Sequence, residues 1–234
     1  MSEKNPEVPR EVSLKVLVDD IPSVEGVVPA HGLSILVEAS LDREKKRILF
    51  DTGPSKKILE YNVGVLGEHT RVDIIVGSIH LSHHIGCIDE YAERTIILRP
   101  PLPLRYKDGA RLEEIRFLPG FYLVKTSSPW GEQGLLIPTE KGYILLAGCS
   151  VHGFKETFGW LFSSNLRIFG VVGGLGVSSR DMYNLGFLKR LSKKGVELIF
   201  PLHSVSLEAR RKLMKLNRFP VDFEVPGGGS EISI

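Results

Sequence analysis

The sequence predicts an α/β (α+β) protein in which two mixed β-sheets face each other and helices cover their outer sides, a four-layer αββα sandwich. Three observations carry this. Short β-branched runs recur along the whole chain, and helical patterns lie between some of them without the strict strand-helix alternation that marks a barrel. A faint internal repeat links the halves: Ile48-Leu49-Phe50-Asp51-Thr52-Gly53, a helix and a strand ending at Ser78 are answered by Ile144-Leu145-Leu146-Ala147-Gly148-Cys149, a helix and a strand ending at Gly173-Gly174. Two related halves supply two sheets, and each sheet has an apolar face that needs a partner.

Taken in order, residues 1–10 read as a frayed leader, because two prolines and mixed charge bury nothing. Residues 11–234 read as one domain. Strands are expected at 12–18, 33–37, 47–50, 72–76, 95–98, 122–126, 134–138, 143–146, 166–172 and 196–200, with a last one at 231–234. Helices are expected at 55–65, 88–93, 153–162, 178–194 and 206–217. The last two carry apolar residues at helical spacing, Leu185, Leu188 and Leu191 in one and Leu207, Leu213 and Leu216 in the other, opposite Lys- and Arg-rich faces. The stretch 100–140, rich in Pro and Gly, reads as hairpins and loops inserted between the halves. The expected core holds Leu49, Phe50, Ile74, Ile75, Ile144, Leu145, Ile168, Val171, Ile199 and Phe200.

Composition narrows the function. In 234 residues, 30 Lys+Arg stand against 28 Asp+Glu, a net charge of +2 that excludes a polyelectrolyte tail or a strongly basic nucleic-acid domain. The basic helix faces at Lys189-Arg190 and Arg210-Arg211-Lys212 lack interleaved aromatics, so no nucleic-acid partner is expected. No run approaches the ~20 apolar residues needed to cross a bilayer, and the first residues lack the apolar stretch of a signal peptide. Neither a membrane partner nor export is expected, and the chain reads as cytoplasmic. Two cysteines, Cys87 and Cys149, fit a reducing compartment with no disulfide between them. Gly227-Gly228-Gly229 is followed by no helix, so it is not a phosphate loop.

The histidines are the informative residues. Of seven, only His69 lies in a charged, loop-like context; His31, His80, His83, His84, His152 and His203 sit near expected strand ends or in Gly-containing turns, where layered proteins place their sites. Asp51, closing an apolar strand before Thr52-Gly53, reads as a turn-capping carboxylate. The two cysteines read as small buried hydrophobes.

Several strings together resemble the metallo-β-lactamase superfamily: Leu49-Phe50-Asp51-Thr52-Gly53, the strand and loop from Val76 to Ile88, Gly148-Cys149-Ser150-Val151-His152-Gly153, Gly173-Gly174-Leu175-Gly176 and Pro201-Leu202-His203. With His31-Gly32-Leu33-Ser34, their order is similar to the branch of metal-dependent hydrolases named dihydropterin–aminobenzene-phosphate synthases. The resemblance runs from about residue 12 to the C-terminus and implies the metallo-β-lactamase fold. That branch writes its loop Ser-His-x-His-x-Asp-His, which sets Ile79 and Leu81 at its first two histidines, His83 at the aspartate and His84 at the last histidine. Its Gly-Cys-Ser-His becomes Gly148-Cys149-Ser150-Val151, with His152 one place late, and Gly176 replaces a further ligand.

The resemblance therefore implies that one of two metal sites is lost, its positions being Ile79, Leu81 and Val151, and that His83, His84 and His203 survive as ligands. Three imidazoles around a borderline metal with an open fourth position make a mononuclear catalytic site, with one divalent ion, zinc by preference. Asp51 would hold a ligand histidine or cap its turn. His31, near the mouth of the site, would bind an anionic substrate or shuttle a proton, or else serve as a turn histidine. His80 or His152 enters only if the loop register differs by one. Two functions follow. One is a metal-dependent hydrolase or related transferase acting on a small molecule, with Asp51 and His31 assisting. The other is a metal-free pseudoenzyme that keeps the pocket as a small-molecule-binding or scaffold protein. The oligomeric state cannot be read from these residues.

Overall fold

The computed structural model of the chain describes residues 8–93, 95–103 and 109–234, so residues 1–7 of the expected leader lie outside the described residues. The strands are β1 (Glu11–Val18), β2 (Ser34–Ser40), β3 (Lys45–Phe50), β4 (Ile74–Val76), β5 (Ile96–Leu98) and β6 (Arg111–Glu114). They continue with β7 (Tyr122–Lys125), β8 (Gln133–Thr139), β9 (Gly142–Ala147), β10 (Ile168–Gly173), β11 (Leu198–Pro201) and β12 (Glu231–Ser233). The helices are α1 (Lys56–Val65), α2 (Ser82–Ile85), α3 (Phe154–Phe158), α4 (Met182–Lys193) and α5 (Leu207–Met214), with 3-10 turns at Ile88–Tyr91 and Gly159–Ser163.

Among the described residues two six-stranded sheets form, in the orders β12-β1-β2-β3-β4-β5 and β11-β10-β9-β8-β7-β6. Both follow one rule. β12, β1, β2 and β3 pair antiparallel and β3, β4 and β5 parallel; β6, β7, β8 and β9 pair antiparallel and β9, β10 and β11 parallel. The registers match as well. Leu49 lies opposite Ile75 in the first sheet and Leu145 opposite Val171 in the second, so the repeat in sequence is a repeat in space.

Period-two alternation sorts the side chains of each sheet. Ile48, Phe50, Ile144 and Leu146 turn inward to a shared core with Val76, Leu135, Val172 and Phe200. Leu145, Val171 and Ile199 turn outward to α3, α4 and α5, while Leu49 and Ile75 meet Leu59 and Val63 of α1. All ten expected core residues are buried.

Four expectations need correction. Residues 100–140 are not an insertion: β6, β7 and β8 take three of the six places in the second sheet. Within them β6, Arg-Leu-Glu-Glu, is a charged and largely exposed edge strand with no apolar alternation to announce it. The expected helix 153–162 is α3 followed by a 3-10 turn, and that at 88–93 is a 3-10 turn alone. Helix α4 begins at Met182 rather than at 178, because the Asp181 side chain accepts from the Asn184 amide and caps it there.

Candidate metal centre

Loops leaving the C-terminal ends of β3, β4, β9 and β11 converge with the end of β1 at one edge of the sandwich. Three residues other than glycine take a left-handed backbone there, Asp51 (φ 60), Ser150 (φ 54) and Ser204 (φ 60). Such a backbone is unfavourable for a side-chain-bearing residue and persists only where its surroundings enforce it, as they do at functional sites.

Asp51 directs this local structure. Its amide donates to Val76 O at 2.9 Å, and its carbonyl accepts from Ser34 Oγ at 2.9 Å. The fully buried carboxylate takes three donors: the Ser78 amide on Oδ1 at 2.7 Å, and Ser78 Oγ and His84 Nδ1 on Oδ2, each at 2.6 Å. A buried carboxylate requires such partners. The network also assigns the tautomer of His84: Nδ1 carries the proton, and the Nε2 lone pair faces the other way. That Nε2 is buried and finds no hydrogen-bond partner among the described residues. Gly148 makes the packing possible, because a Cβ there would lie 1.9 Å from Ser78 Oγ.

His83 and His84 are consecutive, and in a strand they would face opposite sides. Here they lie on the single turn of α2, where neighbours diverge by only ~100°, and their rings sit 4.7 Å apart. His203 follows β11, its ring 4.9 Å from that of His84 and 5.3 Å from that of His83. His31 closes the group from the solvent side, 4.5 Å from His83 and 4.8 Å from His203, with 73% of its side chain exposed.

Asp20, at the end of β1, joins two of these rings. His203 Nδ1 donates to it at 3.0 Å and His31 Nδ1 at 3.1 Å, and the Gly32 amide adds a weaker bond at 3.3 Å. Burial works against its negative charge, yet the two histidines hold its carboxyl well below the usual range. Its neighbour Asp19 is buried against Arg210, which also donates to Val205 O and Pro226 O. Burial outweighs Arg210 and pushes Asp19 up to about 6.

Cys149 completes the cluster. Its Sγ and one ring nitrogen each of His83, His84 and His203 lie within 4.8 Å of one another, and Asp20, His31 and His203 form a second such group. Burial lowers His83 to about 4, helped by the neighbouring imidazoles, and it lowers His203 against the pull of Asp20. Both rings are therefore neutral at neutral pH, the state in which imidazole binds a metal. Burial pushes the Cys149 thiol up to about 12, with Glu132 and Asp51 adding to it. An orphaned, buried ring nitrogen facing two neutral imidazoles and a thiol fits a zinc-type ion in donor chemistry and in number.

The other histidines point elsewhere. His80 Nε2 donates to Pro100 O at 2.9 Å. His152 is exposed beside Trp130, with rings 6.5 Å apart. His69 lines a separate cleft with Lys45, Arg47 and Asp73. Cys87 is buried outside the cluster, its Sγ donating to Thr52 O at 3.6 Å and its thiol pushed by burial up to about 11. Both thiols are free. Ile79 is buried, Leu81 half-buried and Val151 exposed, and all three belong to no ligand group among the described residues. Gly176 (φ 56) has no room for a side chain, since a Cβ would lie 2.1 Å from Ser150 O.

Sequence reasoning missed Asp20, Ser78 and Glu132, and it set Cys149 aside. An acidic pair closing the apolar run of β1 was the available signal for Asp20. Glu132 lies in the 100–140 stretch that reads as hairpins and loops, and its carboxylate accepts from the amides of Ser150 and Val151 at 2.7 and 3.2 Å.

The sequence matches no family model. A curated relative from Methanocaldococcus jannaschii, 7,8-dihydropterin-6-methyl-4-(β-D-ribofuranosyl)-aminobenzene-5'-phosphate synthase, is 25% identical over 83% of this chain and 86% of its own length. Among solved structures, a metal-dependent hydrolase of the β-lactamase superfamily aligns with TM-score 0.68 and 18% identity, over 95% of this chain and 98% of that one. A metallo-β-lactamase fold protein from Bacillus subtilis aligns with TM-score 0.54 and 12% identity over 95% and 99%, and a diphosphatase of the PhnP family with 0.54 and 13% over 96% and 97%. These likenesses show the fold.

Proposed function

We propose that this chain, which has the metallo-β-lactamase fold, is a metal-dependent hydrolase or related transferase on a small-molecule substrate, using one divalent ion, zinc by its donor set, held by His83, His84 and His203. The observation that carries the reading is the buried Nε2 of His84, which has no partner while Nδ1 is locked to Asp51. Leaving a buried polar atom unsatisfied costs about 1–3 kcal/mol, so a site that pre-orients one points to a missing partner. The aspartate–histidine arrangement is the one that orients metal ligands and raises their basicity, and Asp20 repeats it on His203. When bound, such an ion acts as a Lewis acid and activates water as a nucleophile near neutral pH.

The chain's own residues supply the rest. Asp51 and Ser78 fix the orientation of His84, and Asp20 fixes that of His203. His31 shares Asp20 with His203 and stands exposed at the mouth, placed to give or take a proton as substrate enters. The relatives' names, one a synthase and two others a metal-dependent hydrolase and a diphosphatase, support this reaction class.

Equilibrium dialysis against Zn²⁺ tests the reading. One ion per chain is expected, lost in His84→Ala and His203→Ala and kept in His69→Ala, with turnover of phosphate and carboxylate esters following metal content. If zinc, manganese, iron and nickel all fail to bind stoichiometrically, the chain is instead a metal-free binding protein, with Ile79, Leu81 and Val151 in place of ligands.

A further inference from the structure

We propose that Cys149 is the fourth protein ligand of the ion held by His83, His84 and His203, making the site a three-nitrogen, one-sulfur set rather than three imidazoles and an open position. The inference rests on the metal-site reading above and deepens it.

Geometry comes first. Bond lengths of ~2.0–2.1 Å to nitrogen and ~2.3 Å to sulfur place tetrahedral ligand atoms roughly 3.3–3.6 Å apart. The four atoms here already lie within 4.8 Å of one another, so a contraction of about an ångström closes the shell. Of the two His84 nitrogens, Nδ1 is taken by Asp51 and the buried Nε2 has no partner, so Nε2 is the one left to bind.

The backbone holds Cys149 in place on every side. Its carbonyl accepts from Ser204 Oγ at 2.7 Å, and Ser204 Oγ in turn accepts from the Gly176 amide at 3.0 Å. Ser204 follows His203, so this one side chain ties the Cys149 loop to the His203 loop. The next two amides donate to the buried carboxylate of Glu132, and Ser150 Oγ donates to Gly174 O at 2.9 Å. On the other side, Gly148 rests against Ser78 and Asp51, the residues that aim His84. These contacts fix the backbone that carries Cys149 relative to the loops that carry both histidines.

Charge points the same way. Three neutral imidazoles bring no charge to the ion's own shell, and a thiolate would add one in direct contact with it. On binding, the S–H bond breaks, the proton leaves to solvent and a metal–sulfur bond forms; nothing is oxidised or reduced. A thiolate also selects zinc and cobalt over manganese and magnesium. Four protein ligands fill the tetrahedral shell, so catalysis at this ion would need a fifth position to open as substrate or water binds.

The test is cobalt substitution of the full chain. Wild-type protein with one Co²⁺ bound should show a near-ultraviolet thiolate-to-cobalt charge-transfer band and the intense visible bands of tetrahedral cobalt. Cys149→Ser should still bind cobalt, at least tenfold more weakly, without the charge-transfer band, while Cys87→Ser keeps it. X-ray absorption of the zinc-loaded wild type reads the same question without a variant: one sulfur at ~2.3 Å beside nitrogen ligands is expected. Cobalt bound without the band, or a band that survives in Cys149→Ser, overturns the cysteine ligand and leaves the histidine site standing. Failure of the wild type to bind cobalt or zinc at all overturns both.

Discussion

The two sheets follow the same strand order and register, yet they bring different things to the shared edge. In the first, the turn after β3 presents a buried carboxylate, Asp51, and the loop after β4 presents Ser78, His83 and His84. In the second, the position matching Asp51 is Ala147, and β10 ends and leaves through Gly173-Gly174-Leu175-Gly176, whose glycines pack on the backbone of residues 147–150. Among the described residues, Cys149 and His203 are what that half brings to the cluster. A duplicated scaffold thus separates its tasks: the first half aims its histidines through buried carboxylates, and the second holds the Cys149 loop through Glu132 and Ser204 while its glycines leave no room for a side chain.

The sharpest way to break that asymmetry is Asp51→Ala. Ser78 and His84 would be left buried with unpaired donors, a loss of about 3–5 kcal/mol in urea unfolding. Zinc affinity should fall ~10–100-fold as His84 loses its orientation. Replacing Ala147, the matching position, by Gly should leave zinc affinity unchanged. An Asp51→Ala protein that binds zinc normally would show that the carboxylate only caps its turn.

Below the site the halves should behave alike. Leu49 and Leu145 hold matching positions, both buried under the outer helices. Each Leu→Ala change should cost about 2–5 kcal/mol, with Leu145, in the larger apolar layer under α3, α4 and α5, the more costly. A loss well under 1 kcal/mol at either would contradict its place in the core.

This contrast also explains what could be read from the sequence. The buried strands announce themselves through β-branched runs, and the repeat is visible because both halves need the same apolar positions at 48–50 and 144–146. The edge strand β6 does not, since exposure removes the alternation. His84 and Asp51 lie 33 residues apart, and His203 and Asp20 lie 183 apart. No local spacing links such pairs; the family resemblance brought out His31, Asp51 and the three clustered histidines, while Asp20 emerges only once β1 and β11 end at the same edge.

Gly148→Ala asks whether the exclusion of side chains in the second half supports the first. The added methyl would meet Ser78 Oγ at 1.9 Å and Asp51 Oδ2 at 3.2 Å. Overpacking of this kind costs about 1–3 kcal/mol. Zinc binding should weaken along with stability, because the displaced groups are the ones that aim His84. A variant that loses stability but keeps full zinc affinity would separate the floor from the ligand loop.

The smallest effect is a pH dependence read at His83 of the first half, measured on metal-free protein. Burial, with the neighbouring rings of His84, His203 and His31 adding and Asp20 opposing, lowers His83 from 6.5 to about 4 in the folded chain. Between these values the unfolded chain holds the proton at this position and the folded chain does not. Acid therefore favours unfolding: the stability is present above pH 6.5 and is lost as pH falls toward 4. His83 is only half-buried, so solvent screening reduces the contribution to about 1 kcal/mol. Urea unfolding at pH 7 and pH 4.5, compared between wild type and His83→Gln, isolates it, since glutamine does not titrate. The variant should lose less stability on acidification than the wild type by about that amount. Equal losses would place His83 in solvent, outside the cluster, and would take from the first half one of its proposed ligands.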